Sequence, residues 1–185
     1  RERLAVLREE LKSCRSLEHV VLVGKAAAEE LDDVEVHAWG DLVGAHAAGP
    51  TADADPVIEV DMAAILYTSG STGKPKGVVL SHRNLIVGAE SVSSYLGNRS
   101  DDVILSALPL SFDAGLSQVT TAVAVGAHVV LLNYLLPGDV PRLCAQYGVT
   151  GLTCVPPLWL QIADLDWPEE ARSSLRYFAN TGGKM

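Results

Sequence analysis

The 185-residue chain contains no run of 18 apolar residues, and its opening segment RERLAVLREELKSC alternates charged with apolar positions instead of building a secretory apolar region. Both absences argue against a membrane span and lead us to expect a soluble protein. Cysteine is scarce: Cys14, Cys144 and Cys154 are odd in number, scattered, and never paired as CxxC. That excludes a disulfide framework and fits reduced thiols in a cytoplasmic protein. Basic residues are also few, 14 Lys and Arg against 23 Asp and Glu, for a net charge of -9. A nucleic-acid surface needs cations in bulk, so no nucleic-acid partner is expected. No internal repeat is present.

Hydrophobic residues make up 48% of the sequence and charged residues 20%, enough to bury a core as one domain. Apolar runs alternate with helix-like stretches, the pattern of strands feeding crossover helices in an α/β fold with parallel or mixed sheets flanked by helices. Residues 1–14 read as an amphipathic helix with Leu4, Leu7 and Leu11 on one face. A buried strand at 19–24, a short helix at 26–31 and a strand at 34–39 follow, then a surface connection at 44–56 rich in small and acidic residues.

From residue 57 the chain changes character. MAAILYT (62–68) reads as a buried strand, SGSTGKPKG as a loop and VVLSH (78–82) as a second strand, with Ser81 or His82 capping a helix from about 83 to 96. Strands are expected at 102–108, 128–132, 149–155 and within 175–183. Helices are expected near 114–125 and 140–147, and another after Pro156 and Pro157, which cannot continue a central strand. Charge is uneven as well. From Met62 to Asn98 the only acid is Glu90, against Lys74, Lys76 and Arg83, so three minus one leaves +2 in an acidic chain.

The stretch Thr68-Ser69-Gly70-Ser71-Thr72-Gly73-Lys74-Pro75-Lys76-Gly77 packs four hydroxyls, three glycines and two lysines into ten positions. Glycines let backbone N–H groups converge on an anion, hydroxyls add donors and lysines add charge, a combination suited to a polyphosphate. A Walker A loop is excluded, because Lys74 precedes Pro75 instead of Ser or Thr and Thr68 stands where the first glycine belongs. A hairpin without a ligand would explain the glycines and serines but not the two lysines beside them.

LYTSGSTGKPKGVVLSHRNL (66–85) closely resembles the signature phosphate loop of the adenylate-forming superfamily, which includes acyl-CoA synthetases, adenylation domains of nonribosomal peptide synthetases and luciferases. LPLSFDAG (108–115) and NTGGKM (180–185) resemble that family's substrate-side segment and its adenine and acyl pocket loop. The resemblance implies part of the large N-terminal domain of an acyl-CoA synthetase-like enzyme. Residues 1–56 would be an N-terminal βα segment of that domain and 57–185 its AMP-binding core, with the C-terminal domain absent. The start at Arg1 and the end at TGGKM read as cuts, so we expect an excised piece, inactive by itself.

The resemblance further implies that a carboxylic acid and ATP give an acyl-adenylate and pyrophosphate, with Mg2+ required, and that coenzyme A or a carrier-protein thiol accepts the acyl group. The implied nucleotide-binding residues are Thr68, Ser69, Gly70, Ser71, Thr72, Gly73, Lys76, Gly182 and Gly183, with Lys76 also catalytic and Lys74 a solvated side chain. An ordinary turn after a strand is the lesser alternative for Gly182 and Gly183. Phe112 and Asp113 are the implied substrate residues. Phe112 stands where acyl-CoA synthetases commonly carry histidine, and the Phe-Asp pair looks more like amino-acid adenylation domains, in which the aspartate meets the substrate's ammonium. Asp113 reads equally as the cap of the following helix. His82 is read as structural, and His19, His37, His46 and His128 show no metal-site spacing, so no protein metal ligands are expected. A non-catalytic nucleotide-binding module is the alternative from another class. Continuation of the reading frame past Met185 into the family's later motifs would distinguish the two.

Overall fold

Two compact units, Arg1–Asp55 and Pro56–Met185, emerge in the computed structural model. It describes residues 2–24, 31, 34–45, 56–68, 74–133 and 136–184. In the first unit, helix α1 (Glu2–Ser13) precedes strand β1 (His19–Leu22), and strand β2 (Glu35–Ala38) runs directly into helix α2 (Trp39–Ala45). β1 and β2 pair in parallel, His19 opposite Glu35 and Val21 opposite His37. Leu4 is buried as expected, but Leu7 on the same stripe is half exposed. The strand read as buried at 19–24 is shorter and alternates exposed with half-buried side chains, as a pair of strands must when only one face is covered. Residues 26–30 of the expected helix lie outside the described residues, and Leu31 bridges Val34 instead.

The second unit opens with an antiparallel hairpin of β3 (Met62–Thr68) and β4 (Lys76–Ser81). Helix α3 (His82–Leu96) follows at once, because Ser81 caps it. Asn84 N–H donates to the Ser81 hydroxyl at 3.2 Å and Ser81 N–H donates back to Asn84 Oδ1 at 3.0 Å, a reciprocal capping box. His82 is therefore the first helical residue, not the cap. The reading of 62–68 as buried fails. Ile65 and Tyr67 are exposed, since a two-stranded hairpin whose main helix contact is α3 leaves much of its surface uncovered.

Beyond α3 lies a four-stranded parallel sheet in the order β6-β5-β7-β8, formed by β5 (Val103–Ser106), β6 (His128–Leu131), β7 (Gly151–Cys154) and β8 (Tyr177–Asn180). Helices α4 (Asp113–Val125), α5 (Asp139–Tyr147), α6 (Pro156–Ile162) and α7 (Glu169–Ser174) make the crossovers. Pro156 and Pro157 occupy the first turn of α6, where their missing N–H groups are not needed, so that helix starts two residues earlier than Leu158. Strand alternation sorts the side chains. Leu105, Leu152 and Cys154 join Val140, Cys144, Leu158 and Ile162 in a dry core, while Ile104, Thr153 and Ala179 face α4. Burial pushes the Cys144 thiol up to about 12, and burial together with the neighbouring Cys144 does the same to Cys154. The chain is α/β, with parallel and antiparallel strands as the sequence pattern predicts.

Candidate active site

The hairpin carries the first group of expected site residues. Its register places Thr68 directly opposite Lys76 and Tyr67 opposite Gly77, so residues 69–75 form the connection between the strand ends. Ser69, Gly70, Ser71, Thr72 and Gly73 lie outside the described residues. Thr68, Lys74 and Lys76 are all exposed. Thr68 and Lys76 thus form the last pair of the hairpin ladder.

The second group stands at the carboxyl edge of the parallel sheet. From β5 the chain moves to β6 on one side and then returns past β5 to β7 on the other, so the strand order reverses between β5 and β7. In open α/β sheets, ligands bind outside the carboxyl ends of the strands at such a reversal. Phe112 and Asp113 lie in the turn that leaves β5 there. Phe112 occupies the N-cap position of α4 but makes no side-chain cap, and Asp113 is the first helical residue. Asp113 Oδ1 accepts a hydrogen bond from the Ala114 N–H at 2.7 Å, and the residue is exposed rather than buried. Asp113 therefore does not cap the helix from the N-cap position, which Phe112 holds.

Gly115 is the tightest point of this turn. A Cβ there would collide with the carbonyl oxygens of Pro109 and Leu108, so only glycine lets α4 pack this close to the segment that follows β5. Gly182 and Gly183 follow β8 at the same edge. Gly182 has φ +77, and a Cβ at either glycine would touch the chain leaving β7, at Val155 and Pro156 respectively, both at 3.4 Å. Thr181 N–H donates to the Cys154 carbonyl, and the Asn180 side-chain amide donates to the Gly183 carbonyl at 2.8 Å, which closes the turn on itself.

Between α4 and the sheet runs a cavity of about 140 Å3, lined by Ala114, Ser117, Gln118 and Thr121 of the helix and by Ile104, Thr153, Ala179 and Thr181 of the sheet. The Gln118 amide donates to the carbonyls of Leu105 and Thr153, both at 3.2 Å, and so spans the gap where β5 and β7 part. Its Oε1 and the hydroxyl of buried Thr121 have no partner among the described residues. Buried polar atoms left this way mark a place where a water or a ligand belongs. The sequence reading missed Gln118. Its signal was one amide in the otherwise small and apolar helix AGLSQVTTAVAV.

At the amino edge, Asp102 is 1% exposed. It takes hydrogen bonds from Thr150 Oγ1 at 2.7 Å, the Arg99 N–H at 2.8 Å and the guanidinium of Arg176. Burial alone would raise the Asp102 carboxyl, but the bonds from Arg176, Thr150, Arg99 and Asn98 outweigh it and hold it down at about 2. Nothing in the sequence pattern singled out this group. Asn98 and Tyr177, which line the far end of the cavity, are joined through the Asn98 amide donating to the Tyr177 hydroxyl at 3.0 Å.

A family model described as AMP-binding enzyme matches residues 1–185. The chain belongs to the AMP-binding enzyme family. Among related proteins of that family, a 4-coumarate–CoA ligase-like protein of rice (Oryza sativa subsp. japonica) is 34% identical over 148 residues, 75% of this chain and 25% of its own. The hybrid PKS-NRPS synthetase pynA of Aspergillus niger is 42% identical over 98 residues, 53% of this chain and 2% of its own. The structure of the O-succinylbenzoate coenzyme A synthetase MenE from Bacillus subtilis in complex with AMP superposes with a TM-score of 0.69 at 27% identity, covering 98% of this chain and 45% of that one. The chain thus spans a quarter or less of these two curated relatives and under half of MenE. Among the described residues no helix is long and apolar enough to cross a membrane.

Proposed function

We propose that this member of the AMP-binding family serves in ATP-dependent, AMP-forming activation of a carboxylic acid, with residues 57–185 supplying the phosphate loop and one wall of the acyl site and 1–56 a flanking βα segment of the same domain. One observation carries this reading: the cavity beneath α4 is lined by Ala114 from the chain after β5 and by Thr181 from the turn after β8, and it lies against β5 and β7, between which strand order reverses. In the proposed reaction a carboxylate oxygen bonds to the α-phosphorus of ATP while the bond from that phosphorus to the α–β bridging oxygen breaks. Pyrophosphate leaves with the electron pair.

In that step, Thr68 and the loop from Ser69 through Gly73 would grip the β- and γ-phosphates, and Lys76 would balance the charge that grows on the leaving pyrophosphate. Gly182 and Gly183 would let the chain pass close to the adenine or the acyl group. Magnesium is assigned no ligand among the described residues of this chain. The acceptor thiol, coenzyme A or a carrier protein, belongs to the same proposal, as does a cytoplasmic site of action.

In the full-length protein, carboxylate-dependent exchange of labelled pyrophosphate into ATP is expected, and Lys76→Ala is expected to lower it by on the order of 10²-fold or more. Absence of exchange with any carboxylate rejects the reading. Phe112 and Asp113 favour one variant of it, an amino-acid substrate whose ammonium meets the Asp113 carboxylate. In that case amino acids support exchange, Asp113→Asn raises their KM, and fatty or aryl acids do not substitute.

A further inference from the structure

The histidines of the first unit show no metal spacing in the sequence, yet the parallel register of β1 and β2 gathers two of them. His19 lies opposite Glu35, and His37 is two positions along from Glu35 on the same strand, so all three side chains project from one face of the pair. His19 Nδ1 is 3.1 Å from His37 Nε2, His19 Nδ1 is 3.4 Å from Glu35 Oε2, and His37 Nε2 is 3.5 Å from the same oxygen. The three donor atoms form a nearly equilateral triangle.

We propose that His19, Glu35 and His37 bind a divalent transition cation of the zinc type, clipping β1 to β2. Metal–ligand bonds of about 2.0–2.1 Å at tetrahedral angles put donor atoms about 3.3–3.4 Å apart, and the three measured edges bracket that value. Hydrogen bonding within the cluster accounts for only part of it. One imidazole can donate to the other at 3.1 Å, but both nitrogen-to-carboxylate separations are longer than the roughly 2.7–2.9 Å of a charge-assisted bond. One oxygen nearly equidistant from two ring nitrogens is what three donors grouped around one ion would show.

The donor set selects the ion. Two imidazoles and one carboxylate suit zinc, copper or nickel and not magnesium or calcium, which take oxygen ligands. With side-chain exposures of 58%, 31% and 73% for His19, His37 and Glu35, the site can be reached from solvent, which would supply the remaining coordination. Its role is that of a cross-strand staple, because a two-stranded sheet is marginally stable by itself. This inference does not depend on the proposed catalytic function.

The chain, stripped with a chelator, is titrated with zinc alone by calorimetry and with cobalt(II) alone by visible absorption. Wild type is compared with His19→Gln, Glu35→Gln, His37→Gln and the triple variant. His37, the least exposed of the three, is also replaced by Asn, so that loss of fold in one variant is not mistaken for loss of a ligand, and circular dichroism checks each metal-free protein. The proposal expects one equivalent of zinc bound, at least a tenfold loss of affinity in each single variant and none bound at this site in the triple variant. Cobalt should give the intense visible band of a four-coordinate ion, and zinc should raise the melting temperature of wild type but not of the triple variant. Failure of wild type to bind near one equivalent overturns it, and so does undiminished affinity and stoichiometry in the triple variant.

Discussion

At the amino edge of the parallel sheet, Asp102 is almost wholly buried with both oxygens held by several donors. Beneath α4, Gln118 and Thr121 are nearly as buried, yet each keeps an oxygen without a partner among the described residues beside a cavity, as Asn98 does at that cavity's far end. Satisfied buried groups hold a fold in place, whereas unsatisfied ones store free energy that a ligand can release. On the proposed function, the difference assigns stability to the Asp102 network where the strands begin and recognition to the cavity beneath α4 and the turns where they end.

That separation can be broken deliberately, and the largest effect belongs to the amino edge. Asp102→Ala leaves Arg176 and Thr150 without their shared partner and is expected to cost roughly 3–5 kcal/mol in urea unfolding. In the full-length protein at low temperature, KM for the carboxylate should stay near wild type. A large rise in KM would mean that the edges are coupled. Next in size is Gly115→Ala. The added methyl collides with the Pro109 carbonyl and should cost about 1–3 kcal/mol while raising KM, because it displaces the start of α4 beside the cavity. Stability lost with KM unchanged would remove the Phe112–Gly115 turn from the site.

Acid gives the finest test. The Asp102 carboxyl sits near 2 in the folded protein against an ordinary value of 3.8, so its stabilisation is complete above 3.8 and is lost as pH falls from there through about 2. The difference amounts to about 2 kcal/mol. Urea midpoints measured across that window should fall more steeply for wild type than for Asp102→Asn, and parallel curves would show that Asp102 is not the group responsible.

Much of the second unit was legible because local signals and tertiary structure agree there. Apolar MAAILYT marked β3 to the residue, and Ser81, one of two cap candidates, marked the start of α3 to within a residue. What failed was burial. An apolar run identifies a strand but not how many layers cover it, so β3 and β1 read as core and are half open. The short helix α7, EEARSS, carries no apolar stripe to reveal it, and α2 was hidden in what read as strand and connection. Contacts that depend on register or topology left no local trace. Asp102 meets Thr150 across 48 positions and Arg176 across 74, and His19 meets His37 only through the pairing of β1 with β2. At the candidate site, the residue types of 68–76, 108–115 and 180–183 were readable, whereas Gln118 and the crowding at Gly115 became visible only once β5, α4 and β7 were placed together.

Hydrogen–deuterium exchange on the full-length protein, with and without ATP, magnesium and an activated carboxylate, tests the division of the sheet most directly. Protection should appear in peptides covering 66–76, 108–118 and 180–184, with 98–103, 149–151 and 176 unchanged. Protection confined to the amino-edge peptides, or none at the carboxyl edge while pyrophosphate exchange proceeds, would contradict it.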